Sequence, residues 1–165
     1  MPLITKLKSR IVFNSRGSQT VEVDVVTDDR YFGRACAPSG ASVGKNEAQS
    51  FPRNDPQRAI QTFESHSNKF IGAEAADPRV VFEILRTIDN TSSYSIVGGS
   101  VAYALSLAAV DSAAKALNVP LARLLRKNKP YENPFPLGNI LGGGAHAGPG
   151  TPDIQEVLVC PVGAK

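Results

Sequence analysis

The hydrophobic period of this chain switches from that of strands to that of helices near Asp55, and that change constrains the fold more than any other feature. Residues 3–13 and 20–37 alternate or run apolar with β-branched and aromatic side chains, broken at Asn14-Ser15-Arg16-Gly17-Ser18 and at Asp28-Asp29-Arg30. Turn formers between β-rich runs specify an antiparallel meander of three strands. Over Thr20 to Val26, Val21, Val23 and Val25 share one face, and Thr20, Glu22, Asp24 and Val26 share the other. The valine face is core; the face with two carboxylates is either a solvated surface or a partner surface. From Asp55 onward the period is helical. Asp55-Pro56 and Asp77-Pro78 each place a capping carboxylate before a proline suited to a first helical turn. Behind the second cap, Val81, Ile84, Leu85 and Ile88 recur at i, i+3, i+4, i+7; behind the first, Ala59, Ile60, Phe63 and Phe70 make a looser stripe. Gly98-Gly99-Ser100 opens an Ala-rich segment, Val101 to Leu117, that is apolar on nearly every face, as the central helix of a bundle must be. Asn118 can end it, and Pro120 can start a short helix through Leu125.

At 165 residues, 42% apolar and 20% charged, the chain can bury one core. The net charge of +3 is scattered rather than drawn into a basic stripe, so nucleic acid is set aside as a partner. No apolar run is long enough for a membrane span, and MPLITKLKSR leads into a polar, β-patterned segment rather than an apolar leader, so the expected compartment is cytoplasmic. Cys36 and Cys160 lie far apart in apolar, strand-like segments without metal spacing, and are expected to be buried free thiols.

Several stretches invite a functional reading. APSGASVGK, Ala37 to Lys45, is small and polar with no bulky anchor, and is expected to be mobile. It is not a phosphate-binding P-loop, since three rather than four residues separate Gly40 from Gly44 and Asn46 stands where Ser or Thr would hold magnesium. His66, between Ser65 and Ser67, reads as a solvated helix residue. The polar run Arg126 to Pro130 reads as a surface linker, and Phe135 to Leu141 and Ile154 to Val159 as two further strands. Between these lies GGGAHAGPGTPDIQE, Gly142 to Glu156, whose glycines fit either close approach of the backbone to a polar ligand or a plain hairpin.

NSRGSQTVEVDV (Asn14 to Val25), APSGASVGKNEA (Ala37 to Ala48), SLAAVDSAAKALNVPLARLL (Ser106 to Leu125), GGGAHAG and IQEVLVCPVGA (Gly142 to Ala164) run in one order over nearly the whole chain. Together they resemble the amino-terminal part of enolase, phosphopyruvate hydratase, in its archaeal-type pattern. The resemblance implies an α+β fold: a three-stranded antiparallel meander followed by a helical bundle over residues 1–132, then the truncated start of a (β/α)8 barrel over 133–165. It implies reversible dehydration of 2-phosphoglycerate to phosphoenolpyruvate in glycolysis, two Mg2+ ions in the complete active site, and a homodimer or higher homo-oligomer in which the segment with Arg16 and Glu22 takes part. Ser39 matches the serine of the family's lid, which binds substrate and gives oxygen ligands to the second magnesium. His146 matches the histidine of the GGxHA motif and is implied as catalytic and substrate-binding. Gln155 and Glu156 match the family's QE pair, with Glu156 catalytic and both substrate-binding.

The chain departs from the family pattern in places. Asn14 stands where Asp is usual, Ser18-Gln19 where Asn-Pro is usual, Val43 for Thr, Gly142 for Asn and Pro149 for Asn, with one extra residue between His146 and Glu156. A barrel of this class needs roughly 250 residues. The family's principal acid, its two active-site lysines and its three magnesium carboxylates fall beyond Lys165, so the chain alone is expected to be inactive. The alternative is a non-catalytic, truncated interaction or structural module with the same fold. A racemase or lactonising reaction of the same superfamily is disfavoured by the SGAS lid and the HAG/QE residues.

Overall fold

A computed structural model describes residues 1–39, 44–126, 129–130, 132–144 and 147–163. The described chain divides into two units, Met1–Lys127 and Asn128–Lys165. His146 and most of the lid's centre, residues 40–43, lie outside the described residues, and with them the expected mobility of that segment.

In the first unit the alternating segments form β1 (Ile4–Phe13), β2 (Gln19–Thr27) and β3 (Tyr31–Cys36), an antiparallel meander in the order β1-β2-β3. The β2–β3 turn needs two consecutive left-handed residues, and Asp28 (φ 51°) and Asp29 (φ 54°) supply them, since a short polar side chain tolerates that region. Val21, Val23 and Val25 are fully buried on the inner face. The helices follow as read: α1 (Pro56–His66) and α2 (Pro78–Ile88), each with proline in its first turn, then α3 (Gly99–Ala116) and α4 (Leu121–Arg126). The Asp55 carboxylate accepts from the amides of Gln57 and Arg58, and that of Asp77 from Arg79. Phe70 falls beyond α1 in a short 3-10 turn, where its ring meets Phe63 at 5.9 Å. Asn118, at φ 53°, stops α3 in the left-handed conformation that favours Gly or Asn there.

The alanines of α3 let it lie flat on β2 and β3. At Gly33 the approach leaves no room for a side chain: an added Cβ would come 2.1 Å from the carbonyl oxygen of Ala108 and 2.5 Å from the amide nitrogen of Ser112. Thr27 and Ser112 share a hydroxyl–hydroxyl bond of 2.8 Å across this seam. The α2–α3 connection folds around Asp89, wholly buried, whose carboxylate accepts from the amides of Thr91, Ile96 and Val97 and from the Thr91 hydroxyl.

The second unit contains β4 (Gly138–Gly142) and β5 (Glu156–Val159), which pair antiparallel. The two strands expected on either side of the glycine-rich turn are thus present, and they form a β-hairpin. Both strands are exposed along their whole length. The expectation of buried thiols fails: Cys36 and Cys160 are free, but both are exposed. Cys36 shares its parity along β3 with Phe32 and Arg34, which places it on the outer face of the sheet.

Candidate functional site

Ser39 sits three residues past the end of β3, exposed, on a segment whose two ends are tied down. At the near end the Ala37 amide donates to the Val21 carbonyl (3.0 Å) and the Ala37 carbonyl accepts from the Thr20 hydroxyl (2.8 Å). At the far end the carbonyls of Gln49 and Ser50 accept from the amides of Gly99 (2.7 Å) and Ser100 (3.1 Å) at the start of α3. The main chain thus supplies the N-terminal acceptors that side chains usually give. Gly98 permits this approach: its φ is 92°, and a Cβ there would lie 2.7 Å from the Ser50 carbonyl oxygen. A hollow of about 170 Å³ lies between the two ends, lined by Ala37, Pro38, Ala48, Ser50, Gly99, Ser100 and Tyr103.

The Ser39 hydroxyl has a partner that its sequence position does not announce. Asn14, on the β1–β2 turn, donates from Nδ2 to Ser39 Oγ at 2.5 Å. The Asn14 Oδ1 accepts from the amides of Arg16 (2.9 Å) and Ser18 (3.0 Å), which shapes the NSRGS turn.

On the outer sheet face, cross-strand pairing assembles a second polar group. Arg10 stands opposite Glu22 and Arg34 opposite Asp24. Arg10 bonds Glu22 and Asp24, Arg34 Nε donates to Asp24 at 2.7 Å, and the Cys36 thiol donates to Glu22 Oε2 at 3.0 Å. The carboxylate face of β2 is therefore not a bare solvated surface, because two guanidiniums cover it and Asp24 is only 7% exposed. Burial alone would raise the Asp24 pKa, but its bonds to Arg34 and Arg10 outweigh burial and hold it below the usual 3.8. The Asp24 carboxylate likewise raises the pKa of Arg10 and of Arg34. Desolvation, followed by the bond to Glu22, pushes the Cys36 thiol up to about 11.

In the second unit the glycines answer a structural need. A Cβ on Gly143 would lie 2.4 Å from the Pro152 carbonyl oxygen and 2.5 Å from that of Ile154, so here the backbone approaches its own returning chain. The Gly143 amide donates to the Gln155 carbonyl and that of Gly144 to Pro152, both at 2.8 Å. Gln155 is exposed and held through its main chain; Glu156 opens β5 opposite Gly142, with its carboxylate 3.4 Å from the Asn139 side-chain amide. His66, the other histidine, is half-buried, with Nδ1 at 2.8 Å from the Thr62 carbonyl oxygen. Among the described residues no group of three or more His, Cys, Asp or Glu side chains is placed to hold a metal ion, and no helix is long and apolar enough to cross a membrane.

The family profile described as "Enolase, N-terminal domain" matches residues 4–125. Over 164 residues the chain is 47% identical to an enolase of Methanosphaera stadtmanae, covering 99% of this chain and 39% of that relative. The enolase of Methanothermobacter thermautotrophicus is 44% identical with the same coverage, and that of Legionella pneumophila 38% identical over 98% of this chain and 40% of its own length. The chain thus spans about 40% of the length of the curated relatives it matches. The match of both the meander and the helical layer to a single family profile, with relatives aligned through the Gly142–Glu156 turn as well, shows that the chain belongs to the enolase family and carries its N-terminal domain.

Proposed function

We propose that this chain is the front part of an enzyme that reversibly dehydrates 2-phosphoglycerate to phosphoenolpyruvate, with a capping domain over 1–132 and the start of a barrel over 133–165. The observation that carries this reading is the 47% identity over 99% of the chain to a protein named enolase. The chemistry sets a clear requirement. A proton α to a carboxylate is weakly acidic, and its removal loads negative charge onto that carboxylate. Magnesium ions, when bound, would neutralise that charge. Ser39 offers one hard oxygen, whereas magnesium takes an octahedron of oxygens that includes carboxylates. The described residues therefore do not compose a magnesium site by themselves, in keeping with the missing acidic cluster among them.

What this chain would contribute is positioning and enclosure. The segment bearing Ser39 would cover the substrate and exclude water. His146 would reach the substrate, and Gln155 and Glu156 would line the hydroxyl side, where Glu156 would act in catalysis by helping to hold the water network. The complete enzyme is proposed to be cytoplasmic and homo-oligomeric, with the β1–β2 region around Arg16 and Glu22 in the contact. Assayed with 2-phosphoglycerate and magnesium, the 165-residue chain should give no turnover while the complete protein gives robust turnover. Turnover by the chain alone would overturn its role as one part of the site; no turnover by the complete protein would favour a non-catalytic module.

A further inference from the structure

We propose that Asn14 is a positioning residue for Ser39, using its side-chain amide to fix both the place and the hydrogen-bonding direction of the Ser39 hydroxyl. The inference deepens the proposed function, and its relevance to catalysis rests on that reading. Three distances carry it. Asn14 Oδ1 accepts at 2.9 Å from the Arg16 amide and at 3.0 Å from the Ser18 amide, while Nδ2 reaches Ser39 Oγ at 2.5 Å. The two backbone donors engage both lone pairs of Oδ1, so the amide cannot be turned over without setting NH2 against N–H. The nitrogen therefore faces Ser39, and the serine oxygen accepts.

An acceptor role uses one lone pair of Oγ and leaves the hydroxyl proton and the second lone pair directed away from Asn14. A carboxylate at position 14 would keep the turn, because it too accepts from both amides. It would have no hydrogen to give Ser39, and could bond it only by drawing the serine proton inward. The Asn-for-Asp choice at this position thus sets which face of the Ser39 hydroxyl is offered to the site. The turn between β1 and β2 and the segment after β3 are adjacent because β1 and β3 flank β2. One side chain can therefore shape the first and tether the second.

The test separates the turn from the tether. In NMR spectra of this chain, Ser39→Ala should shift the Asn14 Nδ2 hydrogens and leave the Arg16 and Ser18 amide resonances in place. Asn14→Asp should keep those two amides protected from hydrogen exchange, because the carboxylate still accepts from both, while moving the Ser39 resonances. In the complete protein, Asn14→Asp should lower kcat/KM about fivefold, the worth of one net hydrogen bond, and this loss should vanish when Ser39 is already alanine. Asn14 Nδ2 signals indifferent to Ser39→Ala, or an equal kinetic loss with and without Ser39, would overturn the proposal. Because the spectra need no activity, failure of the complete protein to turn over 2-phosphoglycerate would strike the functional reading and leave the tether to be judged separately.

Discussion

At the scale of single residues, the most consequential side chain is one with no part in the proposed chemistry. Asp89 is wholly buried, yet four donors converge on it: the amides of Thr91, Ile96 and Val97 and the Thr91 hydroxyl. A buried carboxylate is costly unless it is hydrogen-bonded, and here the bonds order the loop that delivers the chain to Gly98 and the start of α3. That start in turn receives the Gln49 and Ser50 carbonyls, so Asp89 supports the far anchor of the Ser39 segment at one remove. Asp89→Ala strands buried N–H groups and should cost about 3 kcal/mol, read as a fall in Tm of roughly 10 °C. A change of only a degree or two would mean that water replaces the carboxylate without difficulty. Cys36 shows how a residue is misread. An apolar neighbourhood in sequence suggested burial, but strand parity puts its thiol outward beside Glu22.

At the scale of elements, what was legible in the sequence was what local periodicity encodes. The valine face of β2, the Asp-Pro caps of α1 and α2, and the Ala-rich α3 follow from spacing over a few residues. What was not legible depends on which element lies over which. Gly33 looks like an ordinary strand glycine until α3 is laid on β3, when its missing Cβ proves to be the space for the Ala108 carbonyl and the Ser112 amide. Arg10 meets Glu22 and Asp24 only once the strand register is known. The glycines of the Gly142–Glu156 turn fit a ligand or a hairpin equally well in sequence, and the tight contacts of Gly143 are with carbonyls of its own chain. Of the candidate site residues, Ser39 is singled out by motif, but its bond to Asn14 joins positions 25 residues apart, and no local pattern encodes that. Gly33→Ala should force α3 off the sheet and cost about 3 kcal/mol or more, because the clash is with backbone on a packed helix that cannot rotate away. Chemical denaturation would measure the loss, and retention of wild-type stability would show that the α3–β3 seam is softer than its distances imply.

At the scale of the whole molecule, the buried carboxylates of the first unit tie global stability to pH. Burial alone would raise the pKa of Asp89, but its bonds to the Thr91 hydroxyl and to the amides of Val97, Ile96 and Thr91 more than offset this, leaving the folded value below 3.8. Asp24 is depressed in the same sense by Arg34 and Arg10. Both groups therefore bind protons less readily in the folded chain than in the unfolded one. As pH falls toward and below 3.8, the unfolded chain takes up protons that the folded chain refuses, and the balance shifts toward unfolding. Their contribution is complete above that value and is lost as pH falls through the depressed folded values. Thermal unfolding followed from pH 7 to pH 3 should give a Tm that drops steeply only at the acid end. Asp24→Asn should lower Tm near neutral pH, since the amide loses the charge that both guanidiniums face, and should make the acid-end slope shallower because one of the depressed groups is gone. High salt should mimic little of this, because Asp24 is covered by its partners rather than exposed to screening ions. A wild-type Tm unchanged down to pH 3, or an Asp24→Asn slope as steep as wild type, would show that these two carboxylates do not set the acid limit of the fold.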